Sequence, residues 1–236
     1  MRAPQVRMTG MRFAPALLAA CTLLAVPALA GETRSVSGFT KIDLMAPVDL
    51  EVRPGKFGAT LEMDAEVASH LVTEVKDDTL RISLEGRNRD FHKKQKIKVT
   101  MPEFRGVNIQ GSGDADIAGF KDQENVAIAV AGSGDVKFSG SAGALSVSIQ
   151  GSGDVLLADG QAAALHASIQ GSGNLKASSF KAKNVSVAIE GSGDADIRVA
   201  GGALKLAVNG SGDIRWTGDA SAVSAATHGS GTIAKR

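Results

Sequence analysis

The chain has 236 residues, 26 Lys and Arg against 25 Asp and Glu, one Cys, no Tyr, one Trp and 28 Gly. That glycine content is about 12%, against roughly 7% in ordinary proteins, yet the 43% hydrophobic fraction is that of a folding sequence. Six Pro and no three-residue glycine period exclude collagen, and a formal charge of +1 gives no general pull toward nucleic acid or membrane.

Arg2, Arg7 and Arg12 are the only charges before Glu32, and they precede an apolar run from Phe13 to Val26. Pro27-Ala28-Leu29-Ala30-Gly31 follows, which completes the pattern of a secretory signal peptide cut after Ala30. Leu18-Ala19-Ala20-Cys21 also reads as a lipoprotein box, but lipidation there would leave the mostly apolar Thr22–Ala30 at the new N-terminus. Cleavage after Ala30 is therefore the preferred reading. It leaves 206 residues with 23 bases, 25 acids and no cysteine, so packing and backbone hydrogen bonds must replace disulfides in the exported chain. No later apolar stretch is long enough to span a bilayer.

Residues 31–105 read as an N-terminal β region. Val36–Leu44, Val48–Val52, Ala59–Met63, Leu80–Leu84 and Ile97–Met101 alternate as strands, and Ala65–Lys76 suits either a helical turn or a strand. Pro54-Gly55, Asp77-Asp78 and Glu85-Gly86 mark the turns. Arg87, Arg89, His92, Lys93, Lys94, Lys96 and Lys98 make a basic run, read as a charged hairpin and protected edge strand in preference to an anion-binding surface.

From residue 106 to 236 a repeat takes over. Gly-Ser-Gly occurs seven times, at Gly111 and Gly113, Gly132 and Gly134, Gly151 and Gly153, Gly171 and Gly173, Gly191 and Gly193, Gly210 and Gly212, and Gly229 and Gly231. The spacing is 19 to 21 residues. Two and four positions before each first Gly stand apolar residues, as in Val107 with Ile109 and Val187 with Ile189. The same period-two phase resumes after each tripeptide, as in Val136 with Phe138. Each repeat is thus strand, tight corner, strand and looser turn. One repeat cannot bury its apolar face, but stacked repeats can. The expected fold is all-β: a right-handed parallel β-helix, or solenoid, of about seven coils, with irregular N-terminal strands capping the first coil.

Asp114, Asp135, Asp154, Asp194 and Asp213 follow five of the corners, with Asn174 and Thr232 in the other two. Stacked carboxylates ~4.8 Å apart repel, which calcium would relieve. The preferred reading is that each Asp caps its own corner, because neutral Asn174 interrupts the charge. Gln110, Gln150, Gln170, Glu190, Asn209 and His228 form a second row, expected to stabilise the stack. Trp216 has an inward phase and reads as core. The four His lack zinc spacing and no nucleophile motif is present, so no catalytic residue and no cofactor is expected.

The opening Gly38-Phe39-Thr40-Lys41-Ile42-Asp43, the strand end Val99-Thr100-Met101-Pro102 and the serial GSGD corners resemble the head GIN domain family, described as putative auto-transporter adhesin heads of exported bacterial proteins. The resemblance covers about residues 38–236 as one domain. It implies a right-handed β-helix and brings no catalytic residues. The functional expectation is a non-enzymatic, adhesin-like or structural module of the periplasm, cell envelope or surface, with envelope polysaccharide or a surface protein as partner and no role for nucleic acid. The alternative is a carbohydrate-active β-helix enzyme using the acidic strip.

Overall fold

In the computed structural model the described residues are 31–86 and 95–236. The segment 1–30 expected to be a signal peptide, with Cys21, and Arg87, Arg89, His92, Lys93 and Lys94 of the basic run lie outside them.

The N-terminal part contains β1 (Glu32–Arg34), β2 (Lys41–Leu44), β3 (Asp49–Pro54), β4 (Gly58–Glu62), α1 (Ala65–His70), β5 (Leu71–Lys76), β6 (Thr79–Leu84) and β7 (Lys96–Met101). The segment 65–76, open to two readings in sequence, is both: a short helix that runs directly into a strand. The repeats supply β8 (Gly106–Gly111), β9 (Ala115–Gly132), β10 (Val136–Gly151), β11 (Val155–Gly171) and β12 (Leu175–Gly191). They continue with β13 (Ala195–Ala200), β14 (Ala203–Gly210), β15 (Ile214–Asp219), β16 (Ala222–Gly229) and β17 (Ile233–Lys235).

Like strands stack in parallel with corner on corner. Gly111 pairs with Gly132, Gly132 with Gly151, and so on through Gly171, Gly191 and Gly210 to Gly229. The result is a parallel β-solenoid of about six turns rather than seven. Seven corners bracket only six intervals, and beyond the last corner the three-residue β17 is all that stacks on β15.

Burial follows the alternation read in the sequence. Ile109, Val130, Ile149, Ile169, Ile189 and Val208 form one inward row, each at most 1% exposed. In β10 the alternation breaks at 139–141 and again at 143–144, where the coil bends a second time. Phe104, Phe120, Phe138 and Phe180 fill the interior near that second bend, with the Phe104 ring centroid 5.3 Å from Phe120 and 6.4 Å from Phe138, and Phe138 6.4 Å from Phe180. Full burial of such a side chain contributes about 1.5–3 kcal/mol, so this column matters in a chain without cysteine cross-links. Trp216 is 9% exposed and sits in the core, with the Lys235 ammonium 4.9 Å from its ring centroid.

The glycines answer two demands. Gly132 has φ +141°, in the region open to glycine. Gly134 has no such φ, but a Cβ on it would collide with the carbonyl oxygen of Gly113 one turn away. Both collide because the corners are hydrogen-bonded to each other: the N–H groups of Ser133 and Gly134 both donate to the Gly111 carbonyl, at 2.9 and 3.1 Å. The same pair of bonds recurs up to Ser230 and Gly231 on Gly210.

The N-terminal strands cover the first coil more regularly than expected. β2 lies parallel to β8, with Leu44 opposite Ile109, and β3 lies parallel to β9, with Leu50 opposite Ala115. Outside this layer, β6 stacks on β2 and β7 on β3, again in parallel. Antiparallel β5, β4 and β1 then flank β6, β7 and β4 respectively. β7 is therefore an inner strand, bonded on both edges, and not the edge strand anticipated for the basic run. Stack order differs from chain order here: the chain goes out to β6 and β7 and returns to place β8 on the inner side of β2.

Candidate functional site

The corner row forms one edge of the stack. Its aspartates do come into line, but each side chain caps the next turn, not its own. Asp114 Oδ1 accepts the Asp135 N–H at 3.0 Å, and Asp135 Oδ1 accepts the Asp154 N–H at 2.8 Å. Asp154 Oδ1 accepts both the N–H and the side-chain amide of Asn174, at 3.0 and 2.8 Å. Asn174 Oδ1 accepts the Asp194 N–H at 3.0 Å, and Asp194 Oδ1 the Asp213 N–H at 2.9 Å. Asp213 Oδ1 ends the series on the Thr232 N–H and hydroxyl, at 3.0 and 2.7 Å. Asn174 interrupts the charge and leaves the hydrogen-bond ladder intact, since the ladder needs only an oxygen acceptor at that place.

Two residues further along each turn is a second outward row that sequence reasoning missed. Register places Glu51, Asp116, Lys137, Leu156, Lys176, Asp196 and Arg215 side by side on successive turns. Asp49 joins the aspartate row from β3, since Leu50 is opposite Ala115 and the Leu50 N–H donates to the Asp114 carbonyl at 2.7 Å. The alternation after each corner held the signal for Lys137, Lys176 and Arg215. Nothing in the sequence pointed to Asp49, whose corner, Ala46-Pro47-Val48, has no glycine.

An open groove of about 400 Å³ runs between the rows, with Asp49, Asp114, Asp135 and Asp154 on one side and Lys96, Lys137 and Lys176 on the other. This mixture is what the enzyme alternative requires. The cations of the groove, however, are matched by carboxylates within the protein, Lys137 by Asp116 at 3.7 Å. Arg53 bridges Glu51 and Asp116 at 3.4 and 3.1 Å, and Lys96 reaches Glu51 at 3.5 Å. Lys176 holds Asp154 Oδ2 at 2.7 Å, and Arg215 holds Asp213 at 3.1 Å and Asp194 at 3.6 Å.

Partial burial pushes the Asp154 carboxyl up, but hydrogen bonds from Lys176 and Asn174 outweigh it and hold the group below the usual carboxylate range. The Asp154 contact in turn raises the Lys176 ammonium. The hydroxyl and N–H of Thr232, helped by Arg215, lower Asp213. Both carboxylates shift away from the raised value that a proton-donating acid needs at neutral pH. Among the described residues no group of three or more His, Cys, Asp or Glu is gathered as a metal shell.

In the second sequence-predicted row, register aligns Gln150, Gln170, Glu190, Asn209 and His228, and Gln170 donates to Glu190 at 3.4 Å. Lys98 of the basic run pairs with Glu62 at 2.7 Å, which raises the lysine. No helix among the described residues is long and apolar enough to cross a membrane.

A stacked-corner solenoid with an inward aliphatic core and outward charged rows defines the class. The chain belongs to the family described as "putative auto-transporter adhesin, head GIN domain", whose model matches residues 38–234. Among solved structures it is similar to a protein of Bacteroides fragilis described as a putative adhesin, at 28% identity and a TM-score of 0.81, covering 89% of this chain and 99% of that one. A protein of Parabacteroides distasonis, described as a putative lipid binding protein, matches at 25% identity and a TM-score of 0.68, covering 87% and 96%. A Parabacteroides merdae protein at 19% identity and a TM-score of 0.66, covering 87% and 95%, shares the fold. No curated protein matches the sequence significantly.

Proposed function

We propose that the chain is an exported, non-enzymatic binding module of the bacterial cell envelope, adhesin-like in that it displays fixed rows of side chains to an extended partner. The observation that carries this reading is the state of the corner strip. Its carboxylates cap backbone amides, and Asp154, Asp194 and Asp213 also pair with Lys or Arg, so they serve the stack rather than proton exchange with a substrate. The groove beside them is open and crosses several turns, which suits a polymer or a surface better than a small molecule. Membership of the adhesin head family and the likeness to the B. fragilis protein support the same reading.

The test is binding of purified protein to envelope fragments, read by label-free interferometry across protein concentration, alongside an assay for new reducing ends on a polysaccharide panel. Saturable binding without cleavage is expected. Absence of saturable binding, or turnover of any polysaccharide, overturns the proposal.

A further inference from the structure

The corner strip neutralises its own cations, and the second bend of the coils does not. Lys181 lies opposite Arg198 on the neighbouring turn, at the ~4.8 Å spacing of paired strands. Lys183 lies two residues along the same turn, about 6.6 Å from Lys181, and both side chains face outward on either side of buried Ala182. None of the three has an ion pair or hydrogen bond to a carboxylate among the described residues. Three like charges within about two strand spacings repel each other, and among the described residues no ion pair offsets that repulsion.

Lys181 and Lys183 also end a furrow. Two adjoining depressions of about 660 and 420 Å³ share Ser141, Gln161 and Lys181, and register stacks these three on successive turns. Gly140, Gly143 and Gly160 leave the floor low, because a Cβ on any of them would meet a carbonyl of the adjacent turn. At the far end stand Asp122 and Glu124, with Asp122 held at φ +53° and its N–H bonded to the Ser141 hydroxyl at 2.7 Å. Asp159 lines the second depression. Lys121 also lines it beside Asp122, so the furrow carries mixed charge at the β9 end and only lysines among its charged lining at the Lys181–Lys183 end.

We infer that Lys181, Lys183 and Arg198 form an anion-binding patch for the carboxylate or sulfate groups of a linear acidic polysaccharide. The inference rests on the binding-module reading above and names its ligand class. A polymer fits because the furrow is long, shallow and lined by hydroxyl, amide and small side chains. A membrane fits less well, because the exposed large apolar residues, Met45, Phe57, Leu156 and Val223, all lie off the furrow and leave nothing there to insert into lipid. Asp122 and Glu124 outnumber Lys121 at the other end and bias an anionic chain toward the basic half.

The experiment measures binding of purified protein to immobilised polygalacturonate, dextran sulfate, neutral dextran and phosphatidylglycerol vesicles at low and high salt. The expected result is binding to both acidic polymers but not to neutral dextran, weakened about tenfold or more by high salt. The variant K181Q/K183Q/R198Q should lose about tenfold or more in affinity, and the matched variant K41Q/K56Q/K76Q, at exposed sites elsewhere, less than about twofold. Equal loss in the two variants, no loss in the first, or binding to the vesicles alone overturns the patch. Envelope fragments in the same assay separate the two readings. Fragments bound equally by protein and K181Q/K183Q/R198Q, with neither acidic polymer bound, sink the patch and leave the module reading standing. Fragments not bound at all sink both.

Discussion

The corner row is built in two ways within one stack. In the repeats, each corner packs on an identical corner, and glycine is required because a side chain would strike the neighbour's carbonyl. In the β2–β3 layer, Ala46, Pro47 and Val48 make the same corner without glycine and without left-handed φ, and Ala46 and Val48 are each 1% exposed. Glycine is thus demanded by the left-handed turn itself at Gly111, where a Cβ would meet nothing within 4 Å, and by close approach to the neighbouring corner at Gly113, whose Cβ would strike the Val48 carbonyl. The non-repeating corner instead contributes side chains to the core.

Substitution should separate the two most strongly. Gly153→Ala, in the middle of the stack, drives a Cβ into the Gly134 carbonyl and to 2.9 Å from Val130, and should cost about 3 kcal/mol or misfold the chain. Ala46→Gly in the other corner should cost no more than about 1 kcal/mol. Denaturant unfolding of both variants decides this, and a larger loss from Ala46→Gly would reverse the argument.

The next effect concerns the caps. Asp154→Ala leaves the Asn174 amide groups and Lys176 without their acceptor and should cost about 2 kcal/mol in the same unfolding assay. Removing only the cation, with Lys176→Met, should change stability by less than about 1 kcal/mol, because that pair is largely solvated.

Acid should weaken the repeats by a modest amount. Asp154 and Asp213 are depressed in the folded state. Their contribution is then fully present above the unfolded value of about 3.9 and is lost as pH falls through the lower folded values. Thermal melts followed down through this window should show the decline, and it should shrink in a variant carrying Asp154→Asn and Asp213→Asn.

Much of this was legible in the sequence. Seven glycine corners with apolar residues at fixed phase dictate parallel stacking, and the aspartate row follows from the spacing alone. What could not be read was anything that depends on stack order differing from chain order. Asp49 reaches the row only because β3 is inserted between β7 and β9, at a corner with no glycine to mark it. The matching of Lys176 with Asp154, and the absence of any match among the described residues for Lys181, Lys183 and Arg198, likewise depend on register across turns. So does the direction of each cap, since an Asp in a linear sequence does not show whether it serves its own turn or the next.

The central claim is that the aspartate row acts as a ladder of amide acceptors and not as a charged or metal-binding site. Replacing Asp114, Asp135, Asp154, Asp194 and Asp213 together by Asn, and separately together by Ala, tests it in one unfolding experiment. Asn already performs the task at position 174, so the Asn variant should stay within about 2 kcal/mol of the parent, while the Ala variant should lose about 5 kcal/mol or fail to fold. An Asn variant as unstable as the Ala variant would show that the charge matters, and an Ala variant as stable as the parent would show that the caps do not.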